Sequence, residues 1–494
     1  MSTELISPKS FAGRPSACFP PKVNALRRAA WTRFCQLPLP KKHDEAWRFA
    51  NTAAHRVNGF HAAPPVANFS PPPDFLPNAA ARFVFANGHL ISKTLPTQHP
   101  SQHPTQLTAA TQHPTQHPTQ HPTQLAAQLA TQHPAQLAAA RPPAWRETFF
   151  AGTLADAAKS YPDLLEQFLF DATQPDPLGG DKFLTLHQAC LQPESGVALI
   201  VPDGCEVAAP IVIVHCLSGR DAAIFPRTLV IAGANSCLTV AEFYISTPTS
   251  DHATSPASAS ASASAPALAI AGASIHAGTG AKITRVVAQN WGAGVHSHQF
   301  ERIYAARDSA VTSVSLNLGG KHARFENSAD LLGSGADARL YGLTVASGEQ
   351  EFDQRTLQTH KAGGAVSDLL YKNALLDGAH TIFSGLIRVE PGAQKTDAYQ
   401  TNRNLILSPD AKADALPGLL IEANDVKCSH GATCSEIDPD EMFYLLARGI
   451  PAEVAQELLV FGFLEEIIAK VGDSQIADAL RALVRAKLAA HPKH

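Results

Sequence analysis

No apolar run in this 494-residue chain approaches the roughly 20 residues that a helix needs to cross a bilayer, so a membrane span is not expected. Charge is sparse and evenly mixed. Only 17% of residues are charged, and 39 basic against 43 acidic side chains leave a formal charge of -4. A nucleic-acid surface needs a basic patch or stripe, and the chain has neither a basic nor an acidic block. Cysteine is thin as well: eight residues, at 18, 35, 190, 205, 216, 237, 428 and 434, are unlike the dense framework of a small secreted domain. The N-terminal stretch "MSTELISPKSFAGRPSACF" has no continuous apolar core of the signal-peptide kind. Free thiols in a reducing cytoplasm are therefore the expected setting. The glycine clusters "HAGTGAKIT" and "NLGGKHARF" miss the G-x-x-x-x-G-K-[ST] spacing that lets backbone amides cradle phosphates, so no ATP site is expected. C-x-x-C, H-E-x-x-H and G-x-S-x-G are missing too, which removes the commonest zinc and hydrolase signatures.

What remains is a chain long enough for about three domains at roughly 150 residues each, with 45% hydrophobic residues to fill their cores. "KVNALRRAAWTRFCQL" sets Val23, Leu26, Ala30, Phe34 and Leu37 on one helical face, and Pro38 and Pro40 end it. "HDEAWRFANT" reads as a short helical turn with Asp44 and Glu45 at its front. From Thr97 to Pro134 the tripeptide Gln-His-Pro occurs six times, and repeated proline stops helix and sheet alike. This insert, at 97–134, and a Ser/Ala spacer at 249–267 read as linkers that interrupt loops. "WRETFFAGTLADAAKSYPDLLEQFLFDA" is helical in pattern. From about residue 195 the texture becomes short β-branched runs separated by Gly, Asn and Asp, such as "GVALIVPDGCEVAAPIVIVHCL" and "RTLVIAGANSCLTVAEFYI". More than 200 such residues without amphipathic helices suit a β-solenoid or a large sandwich, with the solenoid preferred although no strict period is visible. Helix returns at the C-terminal side. Asp438 is a candidate N-cap, Pro439 falls at N1 and Glu441 at N3, and Gly449 supplies the stop.

The densest chemistry is "KCSHGATCSE", residues 427–436. On an extended strand Cys428 and His430 point to the same side, because the side-chain period is two. A thiolate and an imidazole so placed can share a borderline metal such as iron or zinc, but two donors do not complete a site. Spacing alone leaves three readings open: half of a metal site, a nucleophile with its base, or a strand end with a small buried Cys and a hydrogen-bonded His. His360 and His380 are further candidate ligands, with a structural role as the plainer reading. Glu390, Asp397 and Glu422 could pair for acid/base work on a solenoid face, as in a carbohydrate-active β-solenoid enzyme, or could be solvated loop carboxylates.

Residues 383–450, including "AQKTDAYQTNRNLIL", "CSHGAT" and "FYLLARGI", resemble the core signature of the SufB/SufD family of iron–sulfur cluster assembly proteins. "DEAWRFANT" is similar to the family's Glu-x-Trp stretch. Gly431 marks the SufD branch, since the SufB branch carries Glu there. The resemblance implies a mainly β fold: a right-handed parallel β-helix between N- and C-terminal α-helical domains, with boundaries expected at 1–180, 181–422 and 423–494. It implies a non-enzymatic scaffold that pairs with a SufB-like subunit and binds a SufC-like ATPase through C-terminal helices, where Phe443, Tyr444, Arg448 and Gly449 stand. It also implies that Cys428 and His430 meet iron or a nascent Fe–S cluster at the SufB–SufD interface, with the remaining donors from the partner. Cys434 stands where the family has a small or aliphatic residue and is read as incidental.

Overall fold

The computed structural model describes residues 16–66, 69, 76–95, 149–169, 172, 174–247 and 265–490. The Gln-His-Pro insert at 97–134 lies outside them, as does the Ser/Ala spacer up to residue 264. The centre of the molecule is a mainly β solenoid with two walls. Wall A stacks Gly196–Val201, Arg227–Ala232, Ala267–Ala277, Val295–Ala305, His322–Leu331, Glu351–His360, His380–Val389 and Lys412–Ile421. Wall B stacks Ile211–Leu217, Cys237–Ser246, Lys282–Asn290, Ala310–Asn317, Asp337–Ala346, Val366–Leu375, Thr396–Ile406 and Val426–Ser435. The chain alternates between walls, so each pair of strands is one rung and each rung pairs in parallel with the next. Ala267–Ala277 lies in continuous register on Val295–Ala305, for example.

The small and β-branched runs fold this way because alternate side chains point into the lumen and out to a covering layer. Small residues let the chain turn tightly at the corners. Gly335, at φ 71, stacks so closely on Asp308 that a Cβ would lie 2.3 Å from the Asp308 Oδ1. The lumen changes character along the axis. The first rungs are apolar, with Val197, Leu199, Ile211, Ile213 and Val230 buried together. Midway, Arg285 donates to Glu242 Oε2 at 2.5 Å and to Glu301 Oε1 at 2.7 Å, and all three are buried. Thr228 and Tyr244 hydroxyls donate to Glu242 at 2.9 and 2.7 Å, and Ser313 donates to Glu301 at 2.7 Å. The Arg285 guanidinium holds the Glu242 carboxyl well below its usual range despite the opposing effect of burial. Beyond this network amides join apolar residues such as Leu340, Leu369 and Phe383 in the lumen. Asn373 Nδ2 donates to Gln354 Oε1 at 3.2 Å and to Asn404 Oδ1 at 2.8 Å.

Helices α1 (Pro21–Gln36), α2 (Leu154–Ser160), α3 (Pro162–Phe168) and α4 (Asp181–Cys190) lie at the N-terminal side. Ala30 and Phe34 of α1 and Phe183 and Leu186 of α4 join Trp47 and Phe300 in one core over the outer face of wall A. Arg324 locks this layer down. Its guanidinium donates to Ala46 O at 3.0 Å and Leu178 O at 2.6 Å while lying 3.7 Å from the Trp47 ring centroid. The N-terminal part is not purely helical as expected for 1–180. Ala81–Ala86 pairs in parallel on Ile211–Leu217 and turns through Asn87 and Gly88, both at positive φ, into antiparallel His89–Thr94. Phe150–Thr153 pairs antiparallel with Gly196–Val201, and His61–Ala62 pairs with Ala222–Ile224. Phe150–Thr153, His61–Ala62 and the parallel side of Ala81–Ala86 gain their partners from residues over 40 positions away, while the Asn87-Gly88 turn between Ala81–Ala86 and His89–Thr94 is a local hairpin signal that the sequence reading missed. Helix α4 lies beyond the boundary drawn at 180, and the solenoid runs past 422 to Ser435.

At the other side, α5 (Pro439–Ala447), α6 (Ala452–Ile468) and α7 (Ser474–Ala489) follow the last strand. Val460, Leu464 and Ile467 of α6 and Ile476, Leu480 and Val484 of α7 pack on Leu343, Val345 and Leu370 of wall B. Asp438 caps α5 by accepting from Asp440 N at 2.8 Å, and Gly449, at φ 80, follows its end.

Candidate functional site

The strand Val426–Ser435 is the outer edge of wall B, and Lys412–Ile421 is the outer edge of wall A. Together they form a terminal rung that no further strand covers among the described residues. In the preceding strand, Thr396, Ala398, Gln400, Asn402 and Asn404 are buried while Tyr399 and Arg403 between them are exposed. Even positions there face the lumen. The parallel register sets Ala398 beside Cys428, Gln400 beside His430, Asn402 beside Ala432 and Asn404 beside Cys434. Cys428, His430 and Cys434 therefore share the lumen-facing side of the edge strand.

Contacts at both ends of the strand agree with this parity. Cys428 is half-buried against Ile387, Val389, Ala393 and Ala398, and Asn404 Nδ2 lies 3.7 Å from Cys434 Sγ. His430 between them is exposed. Burial, with a smaller push from the Asp397 carboxylate, raises the Cys428 thiol above its ordinary value. A metal that takes this sulfur must displace its proton, as metal binding to thiols does. Cys428 and His430 are a sulfur and an imidazole donor suited to iron or zinc, yet the described residues contain no group of three or more His, Cys, Asp or Glu that could hold a metal ion.

The other candidates lie elsewhere. His360 is buried in the lumen with Nε2 2.8 Å from Ser367 Oγ, and burial lowers its pKa to about 4. His380 lies outside wall A between Glu351 and Asp414, at 3.4 and 2.8 Å. Glu390 and Glu422 follow one another at the corner of successive rungs, while Asp397 is on the outer face of wall B. Phe443 and Tyr444 are 70% and 56% exposed on α5, a helix that buries none of its residues. The Arg448 guanidinium lies 4.5 Å from the Tyr444 ring centroid. Sequence reasoning missed Gln400, Asn402 and Asn404 as neighbours of the edge strand. Their signal was the alternation in "TDAYQTNRN", where every second residue is small or carries an amide or hydroxyl.

A family model described as "SUF system FeS cluster assembly, SufBD core domain" matches residues 215–463. The chain belongs to the SufBD family. The iron-sulfur cluster assembly protein SufD of Bacillus subtilis is 29% identical over 334 residues, 67% of this chain and 72% of the relative. SufD of Escherichia coli is 29% identical over 320 residues, 64% of this chain and 71% of the relative. A SufBD family iron-sulfur cluster assembly protein of Mycobacterium tuberculosis is 33% identical over 216 residues, covering 54% of its own length. The SufBD core match runs from His215 in the first rung to Phe463 in α6, so it takes in the terminal rung and all of α5. Gly431, which follows His430, is open, with nothing within 4 Å of an added Cβ. No helix among the described residues is long and apolar enough to cross a membrane.

Proposed function

We propose that this chain is a SufD-like, non-enzymatic scaffold subunit that pairs with a SufB-like subunit through its terminal rung. Cys428 and His430 there contribute to a site that handles iron or a nascent Fe–S cluster as cargo. The observation that carries this reading is the pairing of two metal-suited donors on one face of an uncovered strand. An unpaired edge presents a row of free backbone donors and acceptors, which natural proteins blunt unless a partner uses it. The edge of wall A is blunted by Pro417, which has no N–H to offer, but the edge of wall B contains no proline. A half set of ligands at such an edge suits a site completed across an interface. The exposed apolar face of α5, with Phe443, Tyr444 and the adjoining Arg448 and Gly449, is the surface for a SufC-like ATPase, which would supply the nucleotide chemistry.

Tagged full-length protein should co-purify with SufB-like and SufC-like subunits when the three are co-expressed. Cys428→Ala should leave that assembly intact and lower the iron and sulfide retained by the complex at least about tenfold, the range seen when a metal site loses support. Failure to recover either partner would sink the scaffold reading. A Cys428→Ala protein that does not fold would return the residue to a packing role.

A further inference from the structure

A ligating imidazole has two nitrogens, and the one that does not bind the metal carries a proton. That N–H almost always donates to a carboxylate, a carbonyl or water, which fixes both tautomer and ring orientation. For His430 the neighbour in register is Gln400, one strand further in and on the same lumen-facing side. Gln400 is 1% exposed, and its Nε2 donates to Gly385 O at 3.2 Å. A carbonyl can only accept, so this bond fixes which way the amide points and settles the usual ambiguity between its oxygen and nitrogen. The oxygen is left over: Gln400 Oε1 is buried without a hydrogen-bond partner. An orphaned acceptor of this kind costs about 1–3 kcal/mol and is a sign that a donor is missing.

Gly385 belongs to the same arrangement. A Cβ there would lie 2.5 Å from Gln400 Oε1 and 2.7 Å from Thr356 Oγ1. Glycine is the residue that lets the Gln400 side chain lie across the lumen beneath the terminal rung. Cys428 rests instead on the apolar cluster of Ile387, Val389 and Ala398, so the two donors of the edge strand are backed differently. The thiol sits on packing, and the register neighbour of the imidazole carries an unpartnered acceptor.

We infer that Gln400 is a positioning residue for His430, accepting the imidazole N–H on Oε1 so that the other ring nitrogen faces the open end of the solenoid. This role rests on the reading of His430 as a ligand, but its signature needs no metal. In full-length protein labelled with 15N-histidine, the His430 signals are assigned by their loss in His430→Asn. Nitrogen shifts at a pH where the ring is neutral then report the tautomer ratio. A hydrogen bond of ordinary strength displaces that ratio from the free-imidazole value about fivefold. Gln400→Leu should return it to the free value, and Gln400→Glu, which keeps the acceptor, should retain the displacement. Gln400→Asn, with the oxygen drawn back by one methylene, should behave like the Leu variant and serves if that variant does not fold. A wild-type ratio equal to that of free imidazole, or a displaced ratio that survives Gln400→Leu and Gln400→Asn, overturns the proposal. Iron retained by the co-purified complex gives the second arm. If Gln400 sets the tautomer but His430→Asn leaves iron unchanged, the positioning stands and the ligand reading falls.

Discussion

The two ends of the solenoid are finished in opposite ways. At the first rungs, antiparallel strands close both walls. Phe150–Thr153 sits on the first strand of wall A, and the hairpin Ala81–Ala86 with His89–Thr94 extends wall B. Helices α2 and α3 then bury Leu154, Leu164, Leu165 and Phe168 against Ala198, Ile200 and Leu229. The last rung has no such cover, and Val426–Ser435 is exposed along nearly all its length. The same parallel geometry thus gives a sealed, apolar end and an open, polar one. Wall B finishes at each end in a largely exposed strand, His89–Thr94 or Val426–Ser435, but the first packs Leu90 on the apolar core while the second carries Cys428 and His430 at an uncovered edge.

If stability belongs to the sealed interior, its largest single loss should come from the mid-lumen ion network. Arg285→Met strands Glu242 and Glu301 without their shared cation, and removing one member of a buried charge pair costs about 3–5 kcal/mol. Urea denaturation should show that loss, and a change below about 1 kcal/mol would mean the carboxylates find other partners or protonate at little cost. Acid tests the polar half of the lumen. His360 titrates near 6.5 when unfolded and near 4 when folded, so between these values the unfolded chain binds the extra proton. The stability it contributes is complete above pH 6.5 and is lost as pH falls to 4, by about 3 kcal/mol at most. His360→Gln should flatten that part of the stability–pH curve relative to wild type. An unchanged slope would show that the His360 site is open to water in the native state. The smallest effect belongs to the open end: Cys434→Ala should change stability by less than about 0.5 kcal/mol and leave the iron retained by the complex as in wild type. A drop in iron comparable to that of Cys428→Ala would make Cys434 a ligand and the site longer than two residues of one strand.

Much of this contrast was legible in the sequence, and the part that was not has a common cause. The strand runs from residue 195 onward, the cap at Asp438 and the stop at Gly449 are local signals, and each appears where its residues put it. The common face of Cys428 and His430 follows from a period of two and needed no partner strand. Neighbours across rungs are another matter. Gln400 lies in register with His430, and Asn373 donates to Asn404, across about one rung of chain, 30 and 31 residues. The turns between rungs vary in length, so no fixed spacing announces these pairs. The short strand Phe150–Thr153 escaped for the same reason, since it is held by residues far along the chain. The boundary expected at 422 fell one strand early because "VKCSHGATCS" holds only one strongly β-branched apolar residue, Val426, and owes its extended form to Thr396–Ile406 beside it.

The continuous register of the parallel walls has a consequence for how the molecule is made. Each rung touches mainly the rung before it, so order spreads from neighbour to neighbour as in other solenoids, and synthesis delivers the rungs in that same sequence. The closed end leaves the ribosome first and serves as the template on which each later turn is laid. The strand with Cys428 and His430 is laid down after every other rung, and the helices that pack on wall B come later still.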